Sequence, residues 1–423
     1  MIVNDRAVPK GGASAVALQS AVALARAGVP VTVFAGGTAI WEELAPAGVR
    51  TVLVDTAEIG DETVRGKAAL RSLWNRDAAR ALGALLAQLP RPGTVVHIHS
   101  WGKGLSPSVF AAASRAGVPV VATLHDYGFV CPNAGLHVFP TGKPCELRPM
   151  SLGCLACNCD ARSRLHKLWR IARQLSLEQV ARAPLIIDRL IAVSDYAAEI
   201  YRPLLPAEAR LTVVPNPIDA TDRGPADPAS HRDIVFVGRL SREKGALLLA
   251  EAAARLGLAP VYVGEGELAA EVLARCPAAT VTGWLDREGV TARIRAARAV
   301  VLPATWRETQ GMVVPEALAN GVPVVVSSGT APASVVPDGE TGLCFENGSL
   351  DDLCRVLARL DDDDLVRRMG CTGYDRYWSA PADMAHHLAG LLAVYGEAVA
   401  GRDAAFGRPG RNRRDARSTG FST

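Results

Sequence analysis

Short β-branched runs alternate with Ala- and Leu-rich stretches along the whole chain, and that alternation admits few folds. Continuous apolar runs are the mark of strands buried on both faces, and parallel strands need helical crossovers to join them. In the first half Val29–Ala35, Val49–Val54, Thr94–His99, Val118–Leu124, Leu190–Val193 and Leu211–Val214 are expected strands, after a first strand of only about three residues before Asn4. Ala15–Ala27, Asp77–Leu89 and Leu105–Ala116 are expected helices between them. The second half repeats the scheme, with strands at Ile234–Val237, Pro260–Val263, Thr280–Thr282, Val300–Leu302 and Val322–Val326. The expected fold class is α/β, with two doubly wound parallel sheets and a ligand cleft between them.

A chain of 423 residues suits two such units, each burying its own core. Residues 1–218 form the first and 234–380 the second. Residues 219–233 join them, where Gly224-Pro225-Ala226-Asp227-Pro228 has linker chemistry. A last helix is expected at about 381–400, before a basic tail, 401–423, read as disordered. That tail, from Arg402, carries +4 of a net +3, so the rest is close to neutral and does not read as a nucleic-acid binder. No apolar run approaches the roughly 18 residues of a spanning helix, and no apolar stretch follows a basic one at the start. A cytoplasmic protein is the expectation.

The densest pattern is Thr305-Trp306-Arg307-Glu308-Thr309-Gln310-Gly311-Met312-Val313-Val314-Pro315-Glu316, continuing to Gly321. It follows an expected strand. Pro315 suits the first turn of a helix that Gly321 would end. Free N–H groups at that helix start attract an anion, and Glu308 and Glu316 can accept hydrogen bonds from vicinal sugar hydroxyls. Ordinary surface carboxylates are the competing reading of a lone pair. Upstream, Val235-Phe236-Val237-Gly238-Arg239-Leu240-Ser241-Arg242-Glu243-Lys244-Gly245 is a strand, a basic loop and a helix start. Cations there would stabilise charge developing on a leaving diphosphate.

Together these stretches closely resemble the Glu-x7-Glu motif and basic loop of family 4 glycosyltransferases, densely over Val235–Val326 and patchily over Val3–Tyr395. The resemblance implies a GT-B fold, two facing Rossmann-like domains, and a retaining, nucleotide-sugar-dependent hexosyltransferase. It implies Glu316 as the ribose clamp, Glu308 as the sugar contact, and Arg239 and Lys244 as the phosphate pair. Gly311 and Met312 then lie near the diphosphate, and Trp284 and Leu285 lie where relatives contact the base through main-chain atoms. Gly264, at a glycine-rich strand end, lets a ligand approach the backbone, with plain turn chemistry as the alternative for both strand ends. Gln310 departs from the aromatic residue often found there. In the first half Gly11 and Gly12 match the loop that approaches donor and acceptor, and His125 matches a His-Asp turn near the donor sugar. Ser194 and Asn216-Pro217-Ile218-Asp219 match landmarks at the domain edge. Expected partners are a nucleotide-sugar donor and a hydroxyl acceptor, including a lipid-linked saccharide, with surface polysaccharide or glycolipid assembly as the setting. No catalytic metal is required. A non-catalytic sugar-nucleotide binder would lack one of Glu308, Glu316, Arg239 or Lys244, and an epimerase or phosphorylase of this fold is the rival enzyme.

Two features stand apart from the resemblance. Five of nine cysteines fall between Cys131 and Cys159, inside an insertion at about 128–162 with little apolar material. Cys131, Cys145, Cys154 and Cys157 read as ligands of a structural Zn²⁺, favoured over an iron–sulfur cluster because no redox step is needed, with Cys159 spare. Arg65, Lys67, Arg71 and Arg76 surround Leu70, Leu73 and Trp74, a basic amphipathic pattern suited to peripheral contact with anionic lipid, an ordinary surface helix being the alternative.

Overall fold

The computed structural model describes residues 1–55 and 65–406. Strands β1 (Ile2–Asn4), β2 (Thr32–Gly36), β3 (Arg50–Val54), β4 (Val96–Ile98) and β5 (Val120–Leu124) belong to one sheet. After a two-strand hairpin, β6 (His137–Val138) and β7 (Lys143–Pro144), that sheet resumes with β8 (Arg189–Ala192) and β9 (Leu211–Val213). Its order is β3-β2-β1-β4-β5-β8-β9, parallel throughout. The second sheet takes β10 (Ile234–Val237), β11 (Val261–Val263), β12 (Thr280–Gly283), β13 (Ala299–Leu302), β14 (Val324–Ser327) and β15 (Gly342–Phe345) in the order β12-β11-β10-β13-β14-β15, again parallel. β15 is a strand the sequence pattern did not single out.

In each sheet the winding reverses once, between β1 and β4 and between β10 and β13. At such a reversal the loops leave to opposite sides and open a crevice at the strand C-termini. Gly11 and Gly12 follow β1, Arg239 and Lys244 follow β10, and Glu308 follows β13, so these residues rise from switch points.

The chain does not end where it folds second. The helix Met384–Phe406 crosses back and lays Leu391, Val394 and Ala398 on Val121, Ile191 and Val214 of the first domain. Arg402 pairs with Asp188 at 2.9 Å and Arg189 with Glu397 at 3.0 Å. Arg402 therefore belongs to this helix, not to the tail that was expected to start at residue 401; residues 407–423 lie outside the described residues. The insertion also runs longer than 128–162. It holds the hairpin, a short helix Leu152–Ala156 and a helix Arg164–Leu175, and regains the sheet only at Arg189.

The basic amphipathic stretch divides in two. The helix Arg65–Leu73 ends where Asn75 caps Arg76–Leu86, and Trp74 packs against the first core and so is not free to enter lipid. Leu70 remains 69% exposed, while the side chains of Arg65 and Lys67 lie outside the described residues. No helix among the described residues is long and apolar enough to cross a membrane.

Gly245 turns the basic loop into the helix Ala246–Leu256 with φ +75°, and a Cβ there would lie 1.8 Å from the Pro303 carbonyl oxygen. Gly245→Ala combines left-handed strain with a backbone clash, so it should destabilise the second domain by at least about 2 kcal/mol. Urea unfolding with a midpoint equal to the parent's would show that the loop relaxes freely.

Candidate functional site

The two domains meet on the loop Trp306–Gln310. Thr309 Oγ1 donates to the His125 carbonyl at 2.9 Å, and Ser194 Oγ donates to the Thr309 carbonyl at 2.5 Å. Gln310 completes the junction: its Oε1 accepts from Asn216 N at 3.0 Å and its Nε2 donates to the Asn216 carbonyl at 3.2 Å. The polar residue that departs from the aromatic pattern thus pairs with backbone at the domain hinge. The insertion joins in through Arg307 and Glu146, 3.0 Å apart.

Glu308 is buried at the base of this junction. Its Oε2 accepts from Lys244 Nζ at 2.5 Å and from Trp306 Nε1 at 3.1 Å, while the ammonium lies 5.0 Å from the Trp306 ring centroid. The Trp306 N–H and the Trp306 ring offset part of the desolvation of this ion pair. Arg239, mostly exposed, pairs instead with the buried Glu243 at 2.5 Å. Expected phosphate partners therefore leave the same loop in two directions, Lys244 inward and Arg239 outward.

Glu316 sits in the first turn of Val313–Ala319, and Gly321 follows the helix with φ +72°. Burial pushes its carboxyl up to about 7, with Arg287 pulling the other way. Arg287 itself is bonded to Asp219 of the linker.

Facing these groups is the glycine loop. A Cβ on Gly12 would lie 4.0 Å from Met312 Sδ, so Gly12 and Met312 confront each other across the cleft. Gly264 packs so closely under Gly238 that a Cβ would lie 2.1 Å from the Gly238 carbonyl oxygen. Glycine at 264 is required by this close packing of two strand ends. Trp284 is 73% exposed, and its backbone N–H donates to Glu265 Oε1 at 3.4 Å. Leu285 packs on the second domain's core.

His125 belongs to a column of imidazoles that the sequence pattern did not reveal. His99 Nδ1 lies 3.0 Å from His125 Nε2, and the rings of His97 and His99 are 4.0 Å apart. His97 bonds Thr123 Oγ1 and, through the returning helix, the Tyr395 hydroxyl, each at 2.7 Å. Burial, then the nearby His387, lowers His125 to about 3, and burial holds His97 and His99 well below the usual range. The column is neutral at ordinary pH, so it can hydrogen-bond but is a poor proton acceptor. His97 in β4 and His99 just past its end are two residues apart, a weak sign that could have linked them to one site.

The cysteines gather in the insertion, but around an ammonium. Lys167, buried, lies 3.0 Å from Cys159 Sγ and 3.7 Å from Cys154 Sγ. Cys131 bonds Asn133 Oδ1 at 3.1 Å. Among the described residues no three His, Cys, Asp or Glu side chains converge as a metal site requires. Cys159, set aside as spare, is the thiol closest to Lys167.

Comparison with known proteins agrees with this layout. The profile of Glycosyltransferase Family 4 matches residues 10–222, and that of Glycosyl transferases group 1 matches 231–363. A D-inositol 3-phosphate glycosyltransferase of Nocardia farcinica is 28% identical over 92% of this chain and 85% of its own. Its counterpart in Kribbella flavida is 30% identical over 64% of this chain and 63% of its own. Among solved structures, sucrose-phosphate synthase of Thermosynechococcus elongatus superposes with a TM-score of 0.69 at 19% identity, covering 95% of this chain and 98% of that one. Anabaena HepE in complex with UDP gives 0.62 at 16% identity, covering 93% and 98%. The fold is GT-B.

Glu316 supplies a test of the site's electrostatics. Its folded pKa lies above the unfolded value, so its contribution to stability is full below the unfolded pKa and is lost as pH rises through about 7. Glu316→Gln should therefore melt higher than the parent at pH 8 and alike at pH 4.5. An equal difference at both pH values would place the carboxylate in water.

Proposed function

Because the chain belongs to glycosyltransferase family 4, we propose that it moves a hexosyl group from a nucleotide-diphosphate sugar to a hydroxyl acceptor with retention of anomeric configuration. The observation that carries this reading is the buried Glu308–Lys244 pair at the second sheet's switch point, with Glu316 one helical turn past Met312, which faces Gly12. Glu316 accepts from the ribose hydroxyls, and Glu308 from the donor sugar. Lys244 and Arg239 stabilise the departing diphosphate, whose charge grows as the anomeric C–O bond breaks. The acceptor oxygen bonds to that carbon on the same face, and its proton passes to the leaving phosphate oxygen. No protein base is then needed, which suits a His125 that stays neutral. Most of the acceleration comes from positioning and fixed charge.

UDP is the first nucleotide to try, since HepE is described with UDP bound. The relatives' names point to a phosphorylated cyclitol among acceptors. Surface polysaccharide or glycolipid assembly at the cytoplasmic face is the setting we favour. A thermal-shift screen of nucleotide sugars, followed by donor-hydrolysis assays, tests the reading. Lys244→Ala should cut turnover on the order of a hundredfold while the protein stays folded. Glu316→Gln should weaken nucleotide binding by about 1.5–3 kcal/mol. Unchanged kinetics and affinity in both variants would remove these residues from the donor site.

A structural Zn²⁺ on Cys131, Cys145, Cys154 and Cys157 is a separate proposal, and it requires these thiols, no three of which converge among the described residues, to draw together around the ion. Four thiolates on one Zn²⁺ carry two net negative charges, and the buried Lys167 ammonium would offset one of them. Elemental analysis of protein purified without chelator should find about one metal ion per chain. Folded, active protein free of metal would leave the lysine alone as the organiser of these thiols.

A further inference from the structure

The first domain holds a second charged site. A cleft of about 560 Å³ opens beside Gly11, Gly12 and His125, and Arg6, Lys10, Lys103, Arg162, Arg170 and Arg173 line it. The only carboxylates in that lining are Asp5 and Asp126. Asp5 is already occupied, accepting the backbone N–H groups of Lys103 at 3.0 Å and of Gly104 at 3.1 Å. The phosphate partners of the donor site, Arg239 and Lys244, stand in the other domain, so these cations are surplus to a nucleotide diphosphate.

One wall comes from the insertion. His166, Trp169, Arg170 and Arg173 fall at i, i+3, i+4 and i+7 of the helix Arg164–Leu175, and all four line the cleft. Lys167, turned to another face, fastens the helix to the cysteines. Arg170 is held by Asp160 at 2.9 Å. Arg173 donates to the Gly102 carbonyl at 3.2 Å and lies against Trp101 and Trp169, 5.6 and 5.1 Å from their ring centroids. Burial, then Arg170, lowers its pKa to about 10, so it stays charged yet poorly hydrated. A guanidinium fork fixed between two indoles is preorganised for the tetrahedral oxygens of a phosphate. Deeper in the same cleft His99 Nε2 is buried without a hydrogen-bond partner and is available to a ligand hydroxyl.

We propose that this cleft receives the acceptor and that the acceptor carries a phosphate group, seated against Arg173 with Lys103 and Arg162 at the mouth. The inference rests on the glycosyltransferase reading and adds the chemical class of its second substrate. The phosphate could belong to a soluble sugar phosphate or to a lipid headgroup, and the two sources separate experimentally.

The full chain, saturated with UDP so that the donor site is closed to phosphate, is titrated calorimetrically with a hexose 6-phosphate and with the neutral hexose. Lys103→Gln and Arg162→Gln, both at exposed positions, serve as variants that should fold. The sugar phosphate should bind at least about tenfold tighter than the hexose, and each variant should lose several-fold of that affinity with UDP binding unchanged. In parallel, phosphatidylglycerol and phosphatidylcholine vesicles are sedimented with each protein. Selective retention on phosphatidylglycerol that both variants weaken, without binding of the soluble phosphate, would support the headgroup as source. Equal affinity for hexose and hexose phosphate with no preference between vesicles would overturn the proposal, as would variants indistinguishable from the parent in both arms. UDP binding read in the same titrations keeps the two ideas apart: protein that binds UDP but not phosphate loses this inference alone. Protein that binds phosphate and no nucleotide loses the donor reading.

Discussion

Much of the molecule depends on where the loop Trp306–Gln310 is held. Glu308 lies buried between Lys244 and Trp306, and a carboxylate so desolvated must keep those partners or lose several kcal/mol. Its neighbours Thr309 and Gln310 are at the same time bonded to His125, Ser194 and Asn216 of the first domain and the hinge. The loop is therefore positioned by its own domain and by the opposite one. A change in domain angle would strain either the ion pair or the interdomain hydrogen bonds.

The returning helix Met384–Phe406 provides the second tie. It places Tyr395 on His97 and His387 on Ser20, 3.0 Å away, so the helix that follows the second domain helps to order imidazoles of the first. His387 also bonds the Pro215 carbonyl at 2.7 Å, one residue from the Asn216 that Gln310 grips. Hinge, helix and histidine column thus share contacts. The low basicity of the column follows from this enclosure, because protonating any one ring would bury a charge beside another imidazole.

The insertion has its own logic. Its apolar content is too small for an independent core, and its cysteines and Lys167 hold it to a helix whose opposite stripe is polar and aromatic. The consequence is a wall of cations at the rim of the cleft, built from residues far from either glycine or glutamate motif in the chain.

Sequence alone determined the two parallel sheets, because β-branched runs at crossover spacing have few other ways to bury both faces. It also determined the Glu308–Glu316 helix start and the Lys244 loop, whose residue types and spacing are local. It did not give Arg239's outward pairing, the cysteines' gathering around an ammonium or the extent of the last helix, because each depends on packing: Glu243, four residues past Arg239, is buried by the second domain, Lys167, eight past Cys159, is enclosed as the insertion folds, and Asp188 lies more than two hundred residues before Arg402. His97, His99 and the cationic stripe His166–Arg173 were unreadable for the same reason. A histidine or an arginine shows its chemistry in sequence, but what it faces, and hence whether it is solvated, paired or desolvated, is decided only when the sheets, the insertion and the returning helix are packed together.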